Sequence, residues 1–303
     1  MTWINDSMIE QAGQFLWTTG RVLDQRRFAY HFGSDTEPEA AGVLAALDAY
    51  RSADGGYAFG LEPDVRGPAA QPITMFPAIG VLEETGTLRG PRGAQICAWL
   101  AAFADANGAV PAVLPSLTPY PRAPWMQVAD PPAGGLLATA MLAGPLLRAG
   151  VEHPWLSAAA EYCRDGVERI EQTHPYEIEA AVSFLDGVSD RPWARQQAKR
   201  LGELTRDQRI VLLDPEQPDL AQIAPGYAPG EYHLPYDYAP RPDSLARGWF
   251  SGAEMDRSLR HLVAAQQRDG GWPITWLQWS PVNHVESRPR VTIAALLTLR
   301  AYE

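Results

Sequence analysis

Within five residues, Glu62-Pro63-Asp64-Val65-Arg66 places two carboxylates and a guanidinium between a glycine turn and an apolar helical run. Carboxylates held this close could share a proton, which raises one of the two pKa values into the range of a general acid near neutral pH. On that reading Asp64 is the acid and Glu62 assists it, while Arg66 holds the partner ionised or grips an anionic group with two parallel hydrogen bonds. The competing reading is structural, because short charged loops often cap helix ends and close ion pairs on themselves. Towards the other end, Asn283-His284-Val285-Glu286-Ser287-Arg288 reads as the corresponding loop of a last helical hairpin. His284 and Glu286 could there add a base or a proton relay facing the same cavity. A solvated loop with one surface histidine explains the same residues.

Six aromatic residues, Tyr57, Phe59, Trp125, Tyr236, Trp249 and Trp276, are candidates for the walls of a substrate site. Ring faces stabilise carbocations through their quadrupole, and they also stack on sugars. Packing between hairpins is the alternative for most rings, Trp272 in particular. No metal centre is expected: the histidines at 31, 153, 174, 233, 261 and 284 are dispersed, without His-x-x-x-His or Cys/His spacing. A magnesium ion is compatible only with a diphosphate substrate, which it would bridge to Glu62 or Asp64. Asp54 and Asp269 each precede two glycines, where an aspartate side chain accepts backbone N–H groups, so both read as structural.

The elements that must position these groups are helices. Residues 6 to 31 form two, broken near Gly20, and Glu37 to Ser52 a third, with Ala40, Leu44 and Leu47 on one stripe. Others are expected at Ile73–Thr85, Pro91–Asp105, Gly135–Ala149, Pro154–Gln172, Tyr176–Gly187, Pro192–Asp207, Gly252–Gln267 and Pro289–Ala301, several opening on proline in the first turn. Arg209 to Leu213 is the best strand candidate, and it is short. Two proline-rich loops, 108–134 and 214–243, carry enough aromatic residues to be ordered.

An internal repeat runs through this pattern. Asp54-Gly55-Gly56-Tyr57 leads to Thr74 as Asp269-Gly270-Gly271-Trp272 leads to Thr292, and Asn107-Gly108-Ala109-Val110 followed by Thr139 is a worn third copy. Roughly six helical hairpins of about fifty residues then fit one (α/α)6 toroid over 1–303 better than an open solenoid, since neither end shows a polar capping repeat.

Composition narrows the partners. A net charge of -11 and basic residues that never cluster beyond Arg26-Arg27 argue against nucleic acid and anionic membrane surfaces. No run reaches the length of a spanning helix, and the N-terminal residues lack the pattern of a signal peptide, so a cytoplasmic protein is expected. Cys97 and Cys163 read as buried free thiols.

Arg257-Ser258, His261-Leu262, Gln266, Gly270 and Trp272 are spaced like the QW repeat of squalene–hopene and related class II terpene cyclases. Ser258 and His261 depart from the small residue and the aromatic usual there. Asp54-Gly55-Gly56-Tyr57 with Leu61-Glu62-Pro63-Asp64-Val65-Arg66 and Gln71-Pro72 also resembles uncharacterised bacterial proteins of the terpenoid cyclase and prenyltransferase toroid superfamily. The Asp-x-Asp-Asp acid motif of the cyclases is missing, as are the Asp-x-Cys zinc site of the prenyltransferases and the paired Asp-rich helices of class I terpene synthases. The resemblance implies an α/α toroid and a hydrophobic or prenylated small-molecule substrate, cyclised from an acid built differently. Two other expectations stay open: a carbohydrate lyase or hydrolase using Glu62, Asp64, Arg66 or Arg288, and a toroid that binds without catalysing.

Overall fold

A computed structural model describes residues 2–33 and 40–303. Its helices run in the order α1 (Asp6–Thr19), α2 (Val22–Phe32), α3 (Ala40–Asp48), α4 (Pro72–Glu84), α5 (Pro91–Ala101), α6 (Leu136–Arg148), α7 (Pro154–Glu168), α8 (Pro175–Gly187), α9 (Arg191–Asp207), α10 (Pro235–Tyr238), α11 (Gly252–Ala264) and α12 (Pro281–Ala301). Among the described residues the only β pairing is two isolated bridges, Arg51 with Tyr57 and Val65 with Arg122. The fold is therefore all-α, as expected. No helix of the described residues is long and apolar enough to cross a membrane.

The chain divides into two compact units, one formed by Met1–Ala40 with Ala198–Glu303 and the other by Ala41–Gln197. In the continuous unit α6 packs against both α4 and α8, and α5 packs against α7, which gives a row of alternate helices beside a second row. Glycine permits the close approach of α6 and α8: a Cβ on Gly144 would lie 2.4 Å from the Ser183 carbonyl oxygen, and one on Gly187 would lie 2.2 Å from that of Gly144. In the discontinuous unit α1 packs on α2 and α12, and α11 packs on α10 and α12. The chain ends meet there, where the Ile4 amide donates to Glu303 Oε1 at 3.2 Å.

Proline at the first helical position sets the starts of α4, α5, α7, α8, α10 and α12, because its missing N–H would be unsatisfied in any case. Two of these starts share a further device. The Nδ1 atoms of His153 and His174 accept from the amides of Trp155 and Tyr176, at 3.1 and 3.4 Å, so each His-Pro-aromatic triplet caps its own helix. An accepting ring nitrogen carries no proton. Three sequence expectations are corrected. Residues 209 to 213 form no strand; Ile210, Val211 and Leu212 are buried as irregular chain, with the Leu212 amide donating to the His233 carbonyl at 2.8 Å. The last helix starts at Pro281 and not at Pro289, because Ser280 Oγ caps it by accepting from the Asn283 amide at 3.1 Å. His284 and Glu286 thus stand on a helix and not in a loop. Of the third expected helix, residues 37–39 lie outside the described residues.

The repeat is a repeat of geometry. Gly55, Gly108 and Gly270 have φ of 90°, 88° and 91°. Asp54, Asn107 and Asp269 each accept, through Oδ1, from the amide two residues on, at 3.0, 3.2 and 3.1 Å. Each turn is closed by a backbone pair, Ser52 with Gly56, Asp105 with Ala109 and Gln267 with Gly271, at 2.9, 2.8 and 2.9 Å. A buried threonine from the next helix then meets the residue after the turn. Thr74 donates to the Tyr57 carbonyl, and Thr139 and Thr292 accept from the amides of Val110 and Trp272, both at 3.0 Å.

These turns differ in what surrounds them, which yields a graded prediction. At Gly270 a Cβ would lie 2.0 Å from the Gln11 carbonyl oxygen, whereas at Gly55 nothing lies within 4 Å. Gly55→Ala should cost about 1 kcal/mol for the left-handed backbone alone. Gly270→Ala should cost about 3 kcal/mol or more, because the backbone of α1 must also move. Urea unfolding of the two variants measures the difference, and equal losses would contradict it.

Candidate functional site

The candidate acid sits on a loop whose ends are closed by a hydrogen bond from the Phe59 amide to the Gly67 carbonyl, at 3.0 Å. Leu61 and Val65, 1% and 2% exposed, anchor the loop from within. Val65 joins Val113, Leu117, Ile73, Tyr120, Met126 and Val128 in an apolar cluster. That cluster explains the order of the first proline-rich loop: its Val113, Leu117, Tyr120, Met126 and Val128 pack with Val65 of the acid loop. Gln71, 1% exposed, ties the two together. Its Oε1 accepts from the Leu114 amide at 2.7 Å and its Nε2 donates to Ser116 Oγ at 3.0 Å.

The two segments also run side by side. The Ala123 amide donates to the Asp64 carbonyl at 2.8 Å, the Arg66 amide donates to the Pro121 carbonyl at 3.1 Å, and Val65 bridges Arg122. From this frame the Trp125 indole Nε1 donates to Asp64 Oδ2 at 2.9 Å. Glu62 is buried and Asp64 half-buried. Arg66 folds back over the loop, its Nη1 lying 2.8 Å from where a Gly60 Cβ would stand. Phe59 has φ of 58°, a left-handed conformation that costs a non-glycine residue about 1 kcal/mol or more. The turn thereby holds the Phe59 ring outward, 51% exposed, and Trp125 is 41% exposed.

Tyr57 points inward. It is 2% exposed, and burial raises its phenol pKa despite opposing contributions from Arg92 and Arg51. A surface hollow of about 580 Å³ is lined by Arg51, Asp54, Gln95, Trp99 and Phe103 among others, and none of its lining residues belongs to the 57–66 segment. Among the described residues no group of three or more His, Cys, Asp or Glu is arranged to hold a metal ion.

The remaining candidates belong to the discontinuous unit. The Tyr236 amide donates to Ser258 Oγ at 3.2 Å, and burial, with Asp237 second, pushes its phenol well above the ordinary range. Trp249 is a packing residue: its ring lies against Gly202 of α9, with Tyr238 at 5.9 Å and Phe250 at 6.1 Å between ring centroids. Trp276 is half-buried in the segment before α12. His284, in the first turn of α12, has a buried Nδ1 with no hydrogen-bond partner, and Glu286 is half-buried one position beyond Val285.

Arg288 is fully used in the repeat turn. Its Nη1 and Nη2 hold the two Asp269 oxygens at 2.7 and 2.9 Å, Nη2 reaches Gln267 Oε1 at 2.7 Å, and Nε donates to the Trp272 carbonyl at 3.1 Å. The guanidinium also lies 4.5 Å from the Phe15 ring centre. Gln266 Nε2 donates to the Met8 and Gly270 carbonyls, both at 3.0 Å, and Trp272, 1% exposed, donates to the Leu262 carbonyl at 2.7 Å. Sequence spacing gave no sign of the Trp125 contact, which spans 61 positions between two loops. The histidine caps did have a signal, the His-Pro-aromatic triplet occurring twice.

No family model matches the sequence, and no curated protein matches it. Solved structures do. A crystal structure of a protein from Actinoplanes aligns over 97% of this chain and 98% of its own, with a TM-score of 0.58 and 15% identity. Type II terpene cyclase MstE from Scytonema, in complex with its product merosterolic acid A, aligns over 97% of this chain and 96% of its own, with a TM-score of 0.55 and 11% identity. MstE in complex with its substrate geranylgeranyl dihydroxybenzoate gives a TM-score of 0.51 at 11% identity, over 97% of this chain and 87% of its own. The chain thus has the α/α-toroid fold of type II terpene cyclases.

The Arg288 clamp predicts how stability depends on pH. Hydrogen bonding from Arg288, against a smaller opposing effect of burial, holds the Asp269 carboxyl below its ordinary value. Its contribution is therefore present above the unfolded carboxylate pKa and is lost as pH falls through the depressed folded value. Asp269→Asn should lower stability at neutral pH by about 1 kcal/mol, since the carboxylate is half-exposed, and should flatten the acid limb of the stability profile. Chemical denaturation between pH 7 and pH 3 checks this; an unchanged acid limb would contradict it.

Proposed function

We propose that the protein is a terpene cyclase of the class II type, in which Asp64, assisted by Glu62, protonates an alkene or epoxide of an isoprenoid or prenylated substrate. The observation that carries this reading is the setting of Asp64. Its carboxyl group is pinned by an indole N–H on a loop flanked by the exposed rings of Phe59 and Trp125, in a chain whose fold is that of the type II cyclases. A carboxylic acid is adequate for initiation because the step needs one proton delivered to an alkene carbon or an epoxide oxygen, with the charge then carried by the substrate.

In this scheme a proton leaves the Asp64 carboxyl and either forms a carbon–hydrogen bond at a terminal alkene carbon or goes to an epoxide oxygen, whose carbon–oxygen bond then breaks, and the resulting cation closes rings by attack of internal double bonds. Loss of a proton from the last cation ends the sequence, so product and substrate are isomers. The exposed faces of Phe59 and Trp125 suit the initiating cation, since a ring quadrupole attracts positive charge. Arg66 suits an anionic head group on the substrate, such as a carboxylate or a diphosphate, and a diphosphate would bring magnesium with it. Arg288 is occupied by Asp269, which removes one of the polar groups that a carbohydrate site would have used.

The test is turnover of linear isoprenoids and prenylated aromatic acids, with and without diphosphate and magnesium, by wild type and by Asp64→Asn. Wild type should give a cyclic isomer of one substrate, and Asp64→Asn should lose activity by about a thousandfold or more, as expected when a general acid is removed from an otherwise intact site. Product formation that survives in Asp64→Asn would remove Asp64 as the acid, and no product from any isoprenoid would sink the cyclase reading.

A further inference from the structure

We propose that the first two turns of α12 hold a buried water, bound between His284 Nδ1 and Ser287 Oγ. The site lies within the discontinuous unit and is independent of the reading of Asp64 as an acid.

This stretch of helix is inside out. Asn283 and Ser287, 0% and 1% exposed, turn polar side chains inward, while Val282 and Val285, 52% and 53% exposed, face solvent. An amphipathic helix ordinarily does the reverse, and a buried polar face requires hydrogen-bond partners.

Two polar side-chain atoms here, Ser287 Oγ and His284 Nδ1, are buried and meet no hydrogen-bond partner in the protein. Neither is where such a group usually settles. A helical hydroxyl commonly donates to the carbonyl four residues back. Thr85 does so to Val81 and Thr205 to Leu201, at 2.9 and 2.7 Å. Ser287 makes no such bond. The Nδ1 atoms of His153 and His174 accept from amides, and that of His233 pairs with the Tyr227 hydroxyl at 2.9 Å. Burial of a hydroxyl or a ring nitrogen without a partner is costly, so both atoms point to a bound group.

One small molecule can serve both. Positions i and i+3 are neighbours on a helix surface, with Cβ atoms about 5 to 6 Å apart. Side chains on a helix lean towards its N-terminal end, which carries the Ser287 hydroxyl over the turn of His284. Water suits the pair because it donates and accepts at once: the serine hydroxyl takes either role, and the neutral imidazole is satisfied in either tautomer. Buried waters characteristically bridge polar groups of this kind. A water bound there ties the His284 ring to its own helix.

The experiment combines a crystal structure of the wild-type full chain with thermal unfolding of Ser287→Ala, His284→Leu and the double variant, each checked for folding by circular dichroism. The crystal structure should show one water within hydrogen-bond distance of both atoms. Ser287→Ala should lower the melting temperature by about 2 °C or more, because the water is left a partner short. In the His284→Leu background the same change should cost nothing further, since the water has already lost its other anchor. A melting temperature that holds or rises in Ser287→Ala overturns the proposal, because removal of a hydroxyl that is simply unpaired relieves the protein of a buried polar group. Equal losses in both backgrounds also overturn it, since they would give Ser287 a partner independent of His284. So does a wild-type crystal structure in which no water touches both atoms, a result that depends on no variant.

Discussion

The structure depends on one arrangement used three times: a glycine in the left-handed region, an Asx side chain closing the turn, and a buried threonine from the following helix bonded to the main chain just past it. Thr74, Thr139 and Thr292 are each at most 1% exposed, so an unmade bond at any of them would leave buried polar groups without partners. The turn fixes where one helix ends, and the threonine fixes where the next begins. Whatever length of loop lies between them can then vary without disturbing either. Seventeen residues separate Tyr57 from Thr74 and 29 separate Val110 from Thr139, yet the joint is the same.

That tolerance is how a reactive group can be carried on such a frame. Between Tyr57 and Thr74 the inserted residues form the loop of Glu62, Asp64 and Arg66. Between Val110 and Thr139 they form the proline-rich segment that packs on it. Two insertions at neighbouring joints thus become one layer, held by Gln71 and the apolar cluster, and the Trp125 to Asp64 contact is made across that layer. In the third copy the corresponding chain is used for stability, since Arg288 closes on Asp269 and Phe15. The same framework carries the Glu62, Asp64 and Arg66 loop in one place and the Arg288 clamp in another.

Much of the fold was legible because its signals are local. Proline at the first helical position marks the starts of α4, α5, α7 and α8 within a residue or so of where they are found, and the glycine turns mark the ends. The threonines could be aligned across loops of unequal length because the turn itself recurs. Local rules failed where a long-range partner or a stronger cap decided the outcome. Pro289 looks like a helix start, but Ser280 and Pro281 open α12 earlier and the proline is carried inside it. Residues 210 to 212 look like a strand because they are apolar and partly β-branched, but with no partner strand they are buried as loop. Glu62, Asp64 and Arg66 stood out by type and spacing, whereas the indole that holds Asp64 lies too far along the chain for any spacing rule to find.

The account's central claim is that chemistry begins with a proton from a solvent-exchangeable carboxyl and not with loss of a diphosphate. The most direct measurement is to run the reaction in deuterium oxide and locate the label by mass spectrometry and NMR. With an alkene substrate, a carboxyl that exchanges with solvent should place one deuterium at the initiating carbon of every cyclised molecule. Cyclised product free of deuterium at that carbon, or product that forms only with release of diphosphate, would contradict the account.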